Sequence, residues 1–319
     1  MADNSSASAA VGMELMLPWA WETGLVADAR GERRLASMRL DVLAGGALPH
    51  ADVADVALTM QWAAFICWVD DQIDRRGLGS VPGELERFTM PLRGALVSDA
   101  GPPAAAPAHA VVLAGLWERT AAGMSACWRA RFTADYTDFL DACEQEVALR
   151  RSGIRLPLAG YLELRRRTIT LLPMLDVLER TGRAPLVEDP RVNARLQDLR
   201  RAVADVVGWA NDLASAADDE AACQDNLVAL LARQYGCSAG EARLRATAMI
   251  EERRAGMRAT AAALRAESYL PRDRRQALRR YVDLVETFMA ATLHWLAVTG
   301  RFTCAPGPPT PHRSHVPRP

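Results

Sequence analysis

The sequence contains no lysine, and all 38 of its basic residues are arginine. They are balanced by 39 acidic residues, which leaves a formal net charge of −1 at neutral pH. Nucleic-acid binding depends on an excess of positive charge, so this balance argues against a nucleic-acid partner. Any phosphate bound by this chain must be held by guanidinium groups, whose planar fork suits bidentate contacts.

Histidine, cysteine and aromatic residues are also sparse. The chain has 5 histidines, 6 cysteines and 6% aromatic residues. Only three histidines precede the C-terminal tail, which is too few nitrogen ligands for a zinc centre. The cysteines form no CxxC pair and are expected to be free thiols within apolar helices. The chemistry of this protein must therefore rest on carboxylates and arginines.

No apolar run is long enough to span a membrane. The longest extends from Val56 to Val69, is interrupted by Thr59 and Gln61, and is shorter than the roughly 20 residues that a bilayer requires. The first residues contain no basic segment followed by an apolar stretch, which a secretory signal would have. We therefore expect a cytoplasmic protein that does not insert into a membrane.

Apolar residues recur at steps of three and four, and no segment alternates apolar and polar residues as a strand does. The sequence therefore predicts an all-α fold. Proline- and glycine-rich breaks are spaced like interhelical loops, which indicates a single domain of about ten helices over residues 14–304. Residues 1–13 and the proline-rich tail 305–319 have the composition of disordered segments.

An acidic motif follows the most apolar predicted helix, which runs from about Ala51 to Asp74 and ends in FICWVDDQIDRR. At about 100° per residue, Asp70 and Asp74 share a face of the helix, whereas Asp71 lies well off it. Carboxylates at a helix C-terminus oppose the helix dipole unless a cation compensates, and two such oxygen ligands suit Mg²⁺. The alternative is a solvated helix end whose acids pair with the two arginines that follow.

A second polar motif, NDLASAADDE, lies in another apolar helix. It places Asn211, Ser215 and Asp219 within about 80° of helix circumference, so that an amide, a hydroxyl and a carboxylate oxygen face one cation. Asp218 lies within about 20° of Asn211, so geometry leaves the choice between the two aspartates open. An ordinary polar helix face is the alternative, but two such motifs make coincidence less probable.

These two motifs resemble the aspartate-rich and NSE-type motifs of microbial class I terpene synthases. The string YLELRRRT resembles the segment that carries the diphosphate-sensing arginine of that family, with Arg165 at the family's distance before Asn211. Arg301 and Phe302 stand where the family has an Arg-Tyr pair, and the string DNLV also matches family usage. The resemblance extends over essentially the whole body of the chain.

The resemblance implies a single-domain helical bundle around a central apolar active-site cavity. It also implies Mg²⁺-dependent ionisation of an isoprenyl diphosphate by three metal ions, with Mn²⁺ as a substitute. The carbocation would then cyclise or be quenched to a terpene hydrocarbon or alcohol, and diphosphate would be released. Farnesyl diphosphate is the favoured substrate, geranylgeranyl and geranyl diphosphate are the alternatives, and family members often form homodimers.

By the same resemblance, each predicted site residue has a role. Asp70, Arg165 and Arg301 would be catalytic, and the two arginines would bind the diphosphate. The metal ligands would be Asp70, Asp71, Asp74, Asn211, Ser215 and Asp219. Thr168 and Ile169 would follow Arg165 as linker and effector, and the substrate pocket would comprise Phe65, Ile66, Cys67, Thr168, Ile169, Trp295 and Phe302.

Three positions depart from the family pattern. Phe302 lacks the hydroxyl of the family's tyrosine, Asp218 replaces a basic residue, and Asp219 is one methylene shorter than the usual glutamate. Each change should weaken the hold on diphosphate, so a catalytically degenerate helical interaction protein is a second hypothesis. A chain-elongating prenyltransferase would carry aspartate-rich motifs on both helices, and class II cyclisation would require a DxDD motif, so both are disfavoured.

Overall fold

The computed structural model describes residues 2–74, 78, 83–97 and 105–302, and these residues form helices joined by loops, without a strand. The all-α prediction is confirmed. The helices are α1 Ala2–Glu22, α2 Ala29–Ser37, α3 Leu40–Ala47, α4 Val53–Asp74, α5 Glu84–Val97, α6 Ala108–Ala121, α7 Ala126–Ser152, α8 Leu158–Thr168, α9 Leu171–Thr181, α10 Pro190–Ala221, α11 Leu227–Tyr235, α12 Ala239–Arg265 and α13 Arg272–Val298, followed by a 3₁₀ turn, Gly300–Phe302.

The described residues form thirteen α-helices, more than the ten or so expected, and two of the breaks between them lie at residues with positive φ. Thr170 has φ 60° and separates α8 from α9. The break has a covalent cause, since Pro173 lacks an N–H and its ring would clash with the carbonyl of Ile169 in a continuous helix. Arg39, which also has a positive φ of 55°, separates α2 from α3.

The N-terminus differs from the expectation of disorder over residues 1–13, because α1 begins at Ala2. Ala9 and Met16 are buried in the core. Gly12 lies against α4 so closely that an added Cβ would be 3.0 Å from Cε of Met60. Packing against α4 therefore stabilises a segment whose composition alone favours disorder. The tail 305–319, also expected to be disordered, lies outside the described residues.

Helix α4 is the apolar centre of the bundle. Within the described residues, Val53–Ile73 is the one helical segment that is long and apolar enough to cross a membrane. In this structure 67% of that segment is buried inside the protein, which is typical of a core helix. It packs against α1, α3 and α9 and ends at Asp74, so it carries the acidic motif to the edge of the core.

A buried network of charges fixes the helices around the cavity. The guanidinium group of Arg200 is 1% exposed and donates hydrogen bonds to Asp176 on α9, Asp135 on α7 and the hydroxyl of Tyr281 on α13. Arg131 also bonds to Asp176 and to Glu179. Since buried charges are costly unless they are paired, this network constrains the relative positions of α7, α9, α10 and α13.

Candidate active site

A cavity of about 440 Å³ lies between α4, α7, α8, α10 and α13, and its volume is in the range of small-molecule sites. Apolar and polar lining residues separate along the helices: Ala63 and Ile66 precede the acids of α4, and Val207 precedes the polar residues of α10. We call the part of the cavity at the C-terminal ends of α4 and α10 the polar end. The arrangement provides an apolar chamber with charged groups at one side.

The acids of α4 lie at the polar end, where arginines hold them. Nη2 of Arg301 donates a hydrogen bond to Oδ2 of Asp70 and lies 3.5 Å from Oδ1 of Asp71. Arg34 on α2 donates to Oδ2 of Asp71 at 2.7 Å. Asp71 therefore faces the cavity although the helical angle placed it off the face of Asp70. The side chain of Asp74, the remaining ligand predicted on α4, lies outside the described part of the chain.

The polar residues of α10 line the opposite wall. Asn211, Ser215, Asp218 and Asp219 all reach the cavity. Oγ of Ser215 donates to Oδ2 of Asp219 at 2.6 Å, and Nδ2 of Asn226 donates to the same oxygen at 2.7 Å. Burial raises the pKa of Asp219, while these two hydrogen bonds oppose the shift. The hydroxyl and the carboxylate of the predicted stripe are thus in direct contact.

Asp218 remains a competitor of Asp219. Its Oδ2 atom is buried and accepts no hydrogen bond from the described residues. Buried carboxylate oxygens normally have a hydrogen-bond donor or a cation beside them, so this oxygen is available to a ligand in the cavity. The structure thus brings both aspartates to the polar end.

Arg165 contacts the α10 motif directly. Its Nε donates to Oδ1 of Asp212 at 2.7 Å, and its Nη2 donates to Oδ1 of Asn211 at 2.8 Å. Asp212 also accepts from the hydroxyl of Tyr161 at 2.6 Å and from the backbone N–H of Leu227 at 3.2 Å. The side chain of Asp212 is 3% exposed and is fixed by these three donors, so it orients Arg165 at the cavity wall.

The C-terminal segment is held against the junction of α2 and α3. The carbonyl of Met38 accepts hydrogen bonds from Nε1 of Trp295 at 2.5 Å and from Oγ1 of Thr299 at 3.0 Å. Gly300 passes so close to Ser37 that an added Cβ would lie 2.9 Å from its carbonyl oxygen. These contacts place Arg301, which is buried, and Phe302 over the polar end.

Six of the seven predicted pocket residues line the cavity, and Phe65 does not. Phe65 is fully buried in the core and stacks on Trp68 with ring centroids 6.2 Å apart. The prediction for Phe65 is wrong, because five residues turn an α-helix by about 140° relative to Asp70. The residues that do line the cavity are Ile66, Cys67, Thr168, Ile169, Trp295 and Phe302.

Several lining residues were not predicted from the sequence. Asp212 follows Asn211 directly. The sequence feature that could have identified it is the four-residue spacing of Tyr161 and Arg165, which places two hydrogen-bond donors on one face of α8. Glu146 and Arg150 line the cavity from α7, with Nη2 of Arg150 3.9 Å from Oε2 of Glu146. Burial raises the pKa of Glu146. No motif marked this helix as part of the site.

The donor set fits divalent cations shared with a ligand. Among the described residues, seven carboxylates and three guanidinium groups line the cavity, an excess of four formal negative charges. Within the described chain, no cluster of three or more histidine, cysteine or acidic residues forms a ready-made metal site. The oxygen donors instead come from two helices on opposite walls, and they include an amide and a hydroxyl. Mg²⁺ is typically held by such sparse oxygen ligands together with water and substrate phosphates.

Comparison with known proteins identifies the family. Residues 61–255 match the family described as terpene synthase family 2, C-terminal metal binding. Pristinol synthase of Streptomyces pristinaespiralis is 32% identical over 90% of this chain and 78% of its own length. The (2E,6E)-farnesyl diphosphate-cyclizing 7-epi-alpha-eudesmol synthase of Streptomyces viridochromogenes is 28% identical over 91% of this chain and 86% of its own length.

The fold agrees with that of a solved terpene synthase structure. The crystal structure of linalool/nerolidol synthase from Streptomyces clavuligerus in complex with 2-fluorogeranyl diphosphate has a TM-score of 0.78 to this structure, with 27% identity, and the match covers 93% of this chain and 99% of that chain. The matched family region contains the α4 acids, Arg165 and the α10 motif. The chain therefore belongs to the bacterial class I terpene synthases, which are carbon–oxygen lyases acting on phosphates.

Proposed function

We propose that this enzyme ionises farnesyl diphosphate in a Mg²⁺-dependent reaction and converts the resulting carbocation to a sesquiterpene. The observation that carries the proposal is the convergence of two oxygen-rich motifs and two arginines at the polar end of one apolar cavity. A diphosphate group placed there would have its hydrocarbon chain in the apolar chamber. The convergence also argues against a catalytically degenerate interaction protein.

Asp70, Asp71 and Asp74 would hold Mg²⁺ on the α4 side, and Asn211, Ser215 and Asp219 would hold it on the α10 side. Bound Mg²⁺ neutralises the negative charge that develops on diphosphate as the allylic C–O bond breaks. Arg165 and Arg301 donate hydrogen bonds to the same oxygens, and donors fixed in advance stabilise developing charge without reorganisation. The bonding electron pair leaves with the diphosphate.

The chamber walls control the carbocation. Ile66, Ile169 and Val207 offer no nucleophile and limit access of water to the cation, and burial raises the pKa of the Cys67 thiol, which disfavours its more nucleophilic thiolate form. The ring faces of Phe288, Trp295 and Phe302, which also line the cavity, stabilise positive charge. An internal double bond of the substrate then attacks the cation, and the product forms by loss of a proton or by capture of water.

The relatives support farnesyl diphosphate as the substrate. One of them is named for cyclising (2E,6E)-farnesyl diphosphate, whereas a structural neighbour was crystallised with a geranyl diphosphate analogue. Geranyl and geranylgeranyl diphosphate therefore stay as the alternatives. The homodimer implied by the family likewise stays a prediction, which light scattering of the purified protein tests.

The experiment is to incubate the purified enzyme with each of the three diphosphates and Mg²⁺, and to measure diphosphate release and volatile products by gas chromatography. We expect the highest kcat/KM with farnesyl diphosphate, release that stops with a chelator, and partial replacement of Mg²⁺ by Mn²⁺. A higher kcat/KM with another diphosphate would overturn the proposed chain length of the substrate but not the proposed reaction. No release with any of the three would overturn the function and favour an interaction protein.

A further inference from the structure

Helix α13 presents a hydroxyl group to the cavity between two aromatic side chains. Phe288, Thr292 and Trp295 all line the cavity and lie within about 60° of helix circumference. Nε1 of Trp295 donates to the carbonyl of Met38, so this N–H is already used within the protein. The hydroxyl of Thr292 is therefore the polar group that this face of α13 offers to a ligand.

The oxygen of this hydroxyl has unused acceptor capacity. Oγ1 of Thr292 donates a hydrogen bond to the carbonyl of Phe288 at 2.8 Å, and the residue is 4% exposed. No donor among the residues that the structure describes bonds to the same oxygen. Because a hydroxyl oxygen has two acceptor lone pairs, Thr292 can accept a hydrogen bond from a group in the cavity.

Thr120 shows how the same arrangement is completed elsewhere in the core. Its Oγ1 donates to the carbonyl of Leu116 at 2.7 Å, also one helical turn earlier, and accepts from Nε1 of Trp62 at 2.8 Å. Thr292 lacks such a protein donor and lies beside the cavity instead. The hydrocarbon part of a prenyl substrate has no N–H or O–H group, so the donor that fits Thr292 is the O–H of water or of an alcohol.

The other hydroxyl groups that line the cavity have partners in the protein. Those of Tyr161 and Ser215 donate to carboxylates of α10, and that of Thr168 is 3.5 Å from Nη1 of Arg165. The hydroxyl of Thr170 donates to the carbonyl of Thr168 at 3.3 Å and also keeps acceptor capacity. Thr170 is therefore the competitor of Thr292 that a test must include.

We propose that Thr292 holds a water molecule that captures the carbocation, so that this enzyme releases a sesquiterpene alcohol. The inference rests on the proposed function, because the cation forms by ionisation of the prenyl diphosphate. One O–H of the water donates to Oγ1 of Thr292, and a lone pair of the water oxygen forms the new C–O bond. The resulting oxonium ion loses one proton to the diphosphate released in the same turnover and keeps the other as the hydroxyl of the product.

The test is product analysis by gas chromatography and mass spectrometry after the full-length enzyme has converted farnesyl diphosphate with Mg²⁺ in water that carries a heavy oxygen isotope. We expect the wild-type product to be mainly an alcohol that contains the heavy isotope. Thr292→Val keeps the shape of the side chain but removes the hydroxyl, and it should lower the ratio of alcohol to hydrocarbon about three- to tenfold. Thr292→Ser keeps the hydroxyl and should retain the wild-type ratio.

Thr287 is a matched control on the same helix. Its Oγ1 donates to the carbonyl of Asp283 at 2.7 Å in the same geometry, but the residue does not line the cavity, so Thr287→Val should keep the wild-type ratio. A purely hydrocarbon product of the wild type, an unchanged ratio in Thr292→Val, or a fall in Thr170→Val alone would overturn the inference, while diphosphate release would still support the proposed function. No release from any prenyl diphosphate would overturn both.

Discussion

Arg301 donates a hydrogen bond to Asp70 across 231 positions of sequence. The contact joins the last described turn of the chain to the first carboxylate of the α4 motif, and Arg34 holds the neighbouring Asp71 from α2. Asp70 and Asp71 are thus already paired with arginines. Divalent cations and diphosphate entering the site would have to compete for these carboxylates and guanidinium groups.

We expect Arg301→Ala to lower kcat more than it raises KM. By the proposed function, Arg301 would contact the diphosphate mainly in the closed, ionising state, and interactions made in that state are expressed in kcat. The measurement is steady-state diphosphate release for Arg301→Ala and Arg165→Ala with the best substrate. Wild-type activity in Arg301→Ala, together with an inactive Arg165→Ala, would show that the C-terminal turn takes no part in the reaction.

Phe302→Tyr should improve diphosphate binding. Phe302 lines the cavity next to Arg301, and an added hydroxyl could donate to the diphosphate a hydrogen bond worth at most about 1.5–3 kcal/mol. The expected result is a higher kcat/KM, measured beside the wild type at saturating Mg²⁺. An unchanged or lower value would mean that the side chain at 302 points its ring edge away from the anion.

The face of each helix was predictable, but contacts between distant segments were not. Helical angles placed Asp70, Ile66 and Cys67 on one face and, correctly applied, exclude Phe65. The pairing of Arg34 with Asp71 depends on a bend at Arg39 that leaves no periodic signal. The pairing of Arg301 with Asp70 likewise depends on how α13 packs against α3, which a single sequence does not specify.

The site residues that the sequence did not predict have a similar explanation. Asp212 lies about 100° from Asn211 on α10 and so outside the stripe that the motif defined, yet α8 packs on that side and supplies Tyr161 and Arg165. Glu146 and Arg150 belong to a helix whose charged residues lie on several faces and form no motif, and their place in the cavity lining depends on how α7 packs beside the cavity.

Asp219→Glu should lower the Mg²⁺ concentration required for half-maximal activity. The added methylene extends the carboxylate by about 1.5 Å towards the cavity, at the expense of its contacts with Ser215 and Asn226. Activity is measured against Mg²⁺ concentration for Asp219→Glu and Asp218→Glu. If only the Asp218 variant lowers the requirement, Asp218 is the ligand and Asp219 a structural partner of Ser215.

Arg200→Met should destabilise the fold by about 3–5 kcal/mol, because it removes one of the two arginines that pair with the buried carboxylate of Asp176 and also the partner of Asp135. The neighbouring Arg201 is exposed, so Arg201→Met should change the free energy of unfolding by less than about 0.5 kcal/mol. Urea denaturation of the two variants provides the comparison. Equal stability of the two would mean that the buried network does not hold the helices around the cavity.

Asp70 would hold a catalytic divalent cation, and single-turnover diphosphate release from farnesyl diphosphate in Mg²⁺ by Asp70→Asn tests this role. Asp41→Asn is a matched control, since Asp41 is also paired with an arginine but lies away from the cavity. We expect Asp70→Asn to lose at least about a hundredfold in rate while staying folded, because asparagine keeps an oxygen that can accept the hydrogen bond from Arg301 but lacks the charge that would hold the cation. Asp41→Asn should match the wild type. More than about a tenth of the wild-type rate in a folded Asp70→Asn protein would contradict the metal assignment.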